Sequence, residues 1–164
     1  LGELWRHDSQ GIFLEHRATD LCVQAVVALR GLIEPPAEGL VAVGGAPEQD
    51  PYMLPSMLAA TVLTSAGLRA VNLGPATPLA SLRHAVAHHD ARVVWLALTS
   101  TVSEELAEEL GGFARELANA GRTLVLGGQR RADAAGVRRA LHVSSMSELA
   151  AFAAGLVAGQ RDER

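Results

Sequence analysis

Five short apolar runs, most of them closed by glycine and each followed by a helix-patterned stretch, restrict this chain more than any other feature. Leu40–Val43 is closed by Gly44-Gly45, Arg69–Leu73 by Gly74, and Thr123–Leu126 by Gly127-Gly128. Val93–Leu98 is nearly continuous in apolar residues, as a strand buried on both faces of a parallel sheet must be. Leu141-His142-Val143 predicts a short last strand. Between and after these runs the spacing predicts helices over Pro55–Ala66, Leu79–His88, Val102–Ala120, a short Gly136–Ala140, and Ser147–Ala158, the last capped by Ser144 or Ser145. Strict alternation of strand and helix implies a parallel sheet covered on both faces. Five strands predict the flavodoxin-like, doubly wound (Rossmann-like) α/β order 2-1-3-4-5. Its ligand site lies beyond the carboxyl ends of the first and third strands.

The first third of the chain follows a different pattern. Phe13, Leu14, Leu21, Ala25, Val26, Leu29 and Leu32 recur at helical spacing and predict one helix over Gln10–Ile33. Pro35-Pro36 then ends it. This predicts a helical piece over residues 1–35, part of a helical bundle, and an α/β domain over residues 39–160. At 164 residues the chain buries roughly two-thirds of its unfolded surface and needs no staple. It has one cysteine, Cys22, in an apolar run, and so no internal disulfide. Aromatic residues are only 4%, which leaves Ala, Val and Leu to fill the core. The net charge of −4 argues against this piece holding nucleic acid by itself. No apolar stretch reaches the ~20 residues of a membrane span, and no signal peptide is visible, so a cytoplasmic location is expected. Opening at Leu1, the chain is expected to be part of a longer one.

The loops at the predicted ligand edge exclude several chemistries. The loop from Gly44 to Pro55 carries neither G-x-G-x-x-G nor G-x-x-x-x-G-K-[ST], so neither a dinucleotide nor a triphosphate cradle is present. There is no lysine in the chain. The third strand ends in Thr99-Ser100-Thr101, where a receiver domain would want an aspartate. These hydroxyls suit a polar ligand group, although Thr101 or Ser103 equally suits the cap of the next helix. Gly127-Gly128 suits either a turn or the close approach of something bulky. His88-His89 sit side by side at a helix end, where neighbours do not share a face. No histidine or cysteine cluster has zinc spacing.

Several separated features then coincide. A helical piece with Trp5, nine residues, and Glu15-His16 ahead of a doubly wound domain resembles the cobalamin-binding module of CarH/LitR-type MerR-family regulators, light-responsive repressors that use adenosylcobalamin. In that family the Trp and the Glu-His pair lie on a helical cap over the upper face of the corrin. The remainder resembles the wider cobalamin-binding fold, whose signature is D-x-H-x-x-G, then S-x-L, then G-G. The matching residues here are Asp50, Tyr52 and Pro55, then Thr99 and Thr101, then Gly127 and Gly128. The resemblance implies that Trp5, Glu15, His16, Asp50, Tyr52, Thr99, Thr101, Gly127 and Gly128 contact the cofactor, cobalamin in its adenosyl or another form.

Both cobalt-ligand positions depart from the family pattern, and Pro55, Thr99 and Thr101 stand where it has Gly, Ser and Leu. Tyr52 stands where the lower-ligand histidine would be, and Arg6-His7 follow Trp5 where a member can carry a cobalt-capturing histidine directly. A phenol ligates cobalt well only as phenolate, and free phenols lose their proton near pH ~10. Tyr52 is thus the one candidate metal ligand, or else a residue that packs on the ligand or fills the channel for the cofactor's tail. Pro55 suits a first helical turn but stiffens the loop. The resemblance, with these departures, implies a non-enzymatic sensing and oligomerisation domain of a transcriptional regulator, binding cobalamin without histidine ligation and open to light as input. It would be a homo-oligomer that reaches DNA through a domain ahead of Leu1 and has no membrane partner. The alternatives are another tetrapyrrole or an empty pocket, and a corrinoid carrier subunit.

Overall fold

The computed structural model describes residues 9–162. The chain divides into two compact units, Leu1–Glu34 and Pro35–Arg164. In the first, α1 runs over Ser9–Arg30. It stops short of the predicted end because the chain tightens there. The amides of Leu32 and Ile33 donate to the carbonyls of Leu29 and Arg30, three residues back, instead of continuing the α pattern.

The second unit is an α/β fold with five parallel strands in the order β2-β1-β3-β4-β5. The strands are β1 (Val41–Gly45), β2 (Arg69–Asn72), β3 (Val93–Ala97), β4 (Thr123–Gly127) and β5 (Ala140–His142). The helices are α2 (Met53–Ser65), α3 (Leu79–His88), α4 (Glu104–Asn119) and α5 (Met146–Asp162). The predicted order is therefore present, and the strands alternate the two faces they serve. Val94, Leu96 and Leu98 pack with Leu82 and Val86 of α3 and Leu110, Phe113 and Leu117 of α4. Val93, Trp95 and Val125 pack on the opposite face with Ala59, Ala60 and Leu63 of α2 and Leu149 and Ala153 of α5. Among the described residues no helix is long and apolar enough to cross a membrane.

Three local expectations change. First, Gly44-Gly45 do not close β1 but belong to it, Gly44 pairing with Trp95 and Gly45 with Leu96. Glycine is required at 44, since a Cβ there would lie 2.2 Å from both Cδ2 and the carbonyl oxygen of Trp95. Second, no helix forms over residues 136–140. A 3-10 turn over Arg131–Ala134 takes its place, pinned by the Asp133 carboxylate, which accepts from the Val102 amide and from Arg130. Third, α4 begins at Glu104 because the Ser103 hydroxyl caps it, accepting from the Leu106 amide at 3.2 Å. His142 is a structural residue, its Nε2 meeting the Val137 carbonyl at 3.1 Å.

Candidate functional site

The carboxyl ends of β1, β3, β4 and β5 meet two different arrangements. One is a polar lock around Asp50. Its side chain is 1% exposed, and yet it carries a carboxylate, so it must be fully hydrogen-bonded to be tolerated. It is. The amides of Thr99 and Ser100 and the Thr99 hydroxyl all donate to it across 49 and 50 residues of sequence, and the Tyr52 amide donates at 3.2 Å. The lock ties the loop after β1 to the loop after β3. A second tie is made by the backbone: the Ala76 amide donates to the Asp50 carbonyl at 2.9 Å.

The other arrangement is a channel of about 280 Å³ between the sheet and the helix pair α2 and α5. Pro55 and Ala59 form one wall, Val143, Met146 and Leu149 the other, and Trp95, Ala97 and Val125 the floor. Gly127 and Gly128 lie at its end. Gly128 has φ +108, and a Cβ there would meet the Leu98 carbonyl oxygen at 2.3 Å. Only glycine lets β4 turn away so close to β3. The rim is polar: Gln129, Ser144 and Ser145 are exposed there, with Arg131 beside them.

The start of α5 is built from both serines. Ser145 accepts from the Glu148 amide at 3.1 Å, and the Glu148 carboxylate accepts in return from the amide and hydroxyl of Ser144. This reciprocal box satisfies donors that a helix start would otherwise leave free. The Ser144 amide bond, then its hydroxyl bond, hold the Glu148 carboxyl below its ordinary range.

The residues singled out in the sequence are thus distributed unevenly. Asp50, Tyr52 and Thr99 come together, but the Thr99 hydroxyl and the Asp50 carboxylate are spent on each other. Tyr52 sits at the N-terminal boundary of α2 and is half exposed, so its ring does not fill the channel. Thr101 is exposed in the loop before α4. Gly127 and Gly128 line the channel. Glu15 and His16 lie on α1, in the other unit, and Trp5 lies outside the described residues. Trp95, Ala97, Gln129 and the two serines line the channel without having been singled out. Alternation along β3 places Trp95 and Ala97 on the α2–α5 face and was the available signal. Among the described residues no group of three or more His, Cys, Asp or Glu is placed to hold a metal ion.

No family model matches this chain, and no curated protein matches it either. Solved structures do. The monomethylamine corrinoid protein of Methanosarcina barkeri is similar at TM-score 0.59 and 16% identity, covering 79% of this chain and 62% of that one. A cobalamin-binding protein from Desulfitobacterium hafniense is similar at 0.55 and 16%, covering 76% and 59%. A chain of the methanol:cobalamin methyltransferase complex from Methanosarcina barkeri is similar at 0.61 and 16%, covering 73% and 46%. This chain thus matches less than two-thirds of each of those chains. At such identity the likeness is one of fold: the sheet and its helices have the architecture of cobalamin-binding domains.

Proposed function

We propose that this chain is a cobalamin-binding module that takes the corrin at the carboxyl edge of the sheet and the cofactor's nucleotide tail in the channel between α2 and α5. The channel carries this reading. It is apolar within and polar at its rim, which suits an aromatic base inside and a charged linker outside. The fit at the metal is different. The loop after β1 offers a half-exposed phenol and no imidazole, so that loop supplies no neutral nitrogen to cobalt. The chain's own contribution is then to hold the tail, to fix the loop through Asp50, and to present Tyr52 beside the corrin. The chemistry supplied by such a cofactor is a cobalt–carbon bond open to photolysis.

Within this reading we propose a sensing and oligomerisation role in a regulator, with the helical piece carrying Trp5, Glu15 and His16 as the element that answers occupancy. Its support is the resemblance of those three residues together with the lack of an imidazole at position 52. A carrier's cobalt must cycle between oxidation states, and a fixed lower ligand serves that cycle. A corrinoid carrier is the second reading, favoured by the names of the structural neighbours. A cytoplasmic, homo-oligomeric protein is consistent with either.

Visible spectra of the purified chain with adenosylcobalamin and methylcobalamin test the binding. The expected outcome is a corrin retained through gel filtration with its tail base displaced from cobalt. No retained corrin and no thermal shift would overturn it. An oligomeric state that differs between dark and light supports the sensing role, whereas methyl transfer from bound methylcobalamin to an acceptor thiol supports the carrier. Tyr52→His is expected to tighten cobalamin binding by tenfold or more, the gain of a coordinate bond exceeding ~1.4 kcal/mol, and to give a histidine-ligated spectrum.

A further inference from the structure

Four of the five strands open on arginine. Arg69 starts β2, and Arg92, Arg122 and the pair Arg138-Arg139 stand immediately before β3, β4 and β5. Because the strands are parallel, all of these reach the amino edge of the sheet, opposite the edge where Asp50 and Gly128 lie. The backbone joins the middle of the row: the Arg92 amide donates to the Val41 carbonyl at 2.8 Å, and the Arg92 carbonyl accepts from the Thr123 amide at 3.0 Å. Two of the arginines are answered within the chain. Arg122 donates to the Val86 and Ala91 carbonyls and pairs with Asp90 at 2.8 Å, and Arg139 donates to Asn119 at 3.1 Å. Arg69, Arg92 and Arg138 are exposed, and among the described residues none of the three is in an ion pair.

The carboxyl edge carries the reverse charge. Glu104, Glu105, Glu108 and Glu109 crowd the start of α4, and Glu48 of the loop after β1 lines one groove of about 140 Å³ with Glu105 and Glu109. Glu104 and Glu105 suit a helix start. Glu108 and Glu109 lie beyond that first turn, and each sits one turn from a like charge, which destabilises a helix. Among the described residues none of these five carboxylates is in an ion pair. Leu79 and Ser103 also line the groove, which puts it at the starts of α3 and α4. Arg122 and Arg139 bond to residues at the ends of the same two helices. The acidic and basic ends thus lie on one side of the sheet, and the α2–α5 channel lies on the other.

We propose that the arginine row of the amino edge is a docking surface for a second copy of this chain, whose Glu48, Glu105 and Glu109 groove it meets head to tail. The charges that each end leaves unanswered are then answered by the other end of a neighbour. Guanidinium groups take carboxylates in a two-pronged fit, and the chain uses arginine alone, with no lysine. A nucleic acid is the less fitting occupant, because the whole chain is acidic, at a net charge of −4, and the exposed Asp90 stands within the row. A contact between unlike ends leaves one end of each kind free in a pair, so it propagates into a ring or a filament. The surface goes beyond the corrin reading and needs no cofactor.

Sedimentation velocity of the full chain without cofactor tests the contact. The wild type is expected to associate beyond a dimer as its concentration rises. Raising the salt from about 0.1 M to about 1 M shortens the screening length from about 10 Å to about 3 Å, and should weaken the association tenfold or more. Two double variants, Arg92→Gln with Arg138→Gln and Glu105→Gln with Glu109→Gln, change only exposed side chains. Each alone is expected to stay monomeric, with folding followed by circular dichroism. Mixed in equal amounts they should form a one-to-one pair and nothing larger, since each keeps the end that the other has lost. A monomeric wild type at low salt overturns the proposal. So does association that ignores salt, or that either variant retains alone, or a mixture that stays monomeric. Capture of a DNA duplex by a wild type that does not self-associate overturns it in favour of a nucleic acid. Corrin retention is measured separately: a chain that associates in this pattern and holds no corrin supports the contact and removes the cofactor reading alone.

Discussion

Asp50 shows how much one side chain can hold. A buried carboxylate is stable only while every oxygen is answered, and here the answers come from Thr99, Ser100 and Tyr52. Asp50→Asn replaces one acceptor oxygen with a donor that faces other donors. It is expected to cost about 3 kcal/mol, read as a lowered urea midpoint with an unchanged slope. It should also free the loop before α2, raising amide exchange at Tyr52 and Thr99. The aspartate was legible in the sequence as part of a familiar spacing. Thr99 was legible as a candidate site residue, but the bonds from Thr99 and Ser100 to Asp50 were not, because 49 and 50 residues separate them from it and nothing local pairs them. Trp95 was hidden differently. In an apolar strand run it reads as one more buried residue. Its special position depends on which face α5 covers, and α5 lies far downstream.

At the scale of elements, the start of α5 makes a pH-dependent contact. The Glu148 carboxyl is held below its ordinary range by the Ser144 amide and hydroxyl. A depressed folded value means that the contribution is fully present above the ordinary glutamate range and is lost as pH falls through the lowered value. Protection of the amides of residues 144–149 against exchange, relative to an unstructured peptide at the same pH, is therefore expected to fall as pH drops below the ordinary glutamate range, and Glu148→Gln should remove that acid dependence. The elements themselves were largely legible. Strand–helix alternation and glycine stops predict the sheet order, and the observed order agrees. The misplaced short helix before β5 shows the limit. Gly136 and its neighbours have no periodicity strong enough to outweigh Asp133, whose bonds to Val102 and Arg130 wind the chain earlier. The continuation of β1 through Gly44-Gly45 was equally hidden. Two glycines read as a turn, and what calls for glycine lies across the sheet, the indole of Trp95 at Gly44 and the Gly74 carbonyl at Gly45.

For the molecule as a whole, a ligand that binds the folded chain alone must stabilise it by mass action. At a hundredfold excess over its Kd that is about 2.7 kcal/mol. For a domain of this size it appears as a rise of roughly 5–10 °C in Tm, seen with cobalamin and reduced with cobinamide if the tail contributes. The two walls of the channel come from α2, the first helix after β1, and α5, the last helix among the described residues. A chain emerging from the ribosome can pair β1, β2, β3 and β4 while this groove still lacks its second side. In the proposed reading, capture of the tail therefore follows the docking of α5 rather than seeding the sheet, and a chain stopped at Val143 is expected to form its strands and retain no corrin on gel filtration.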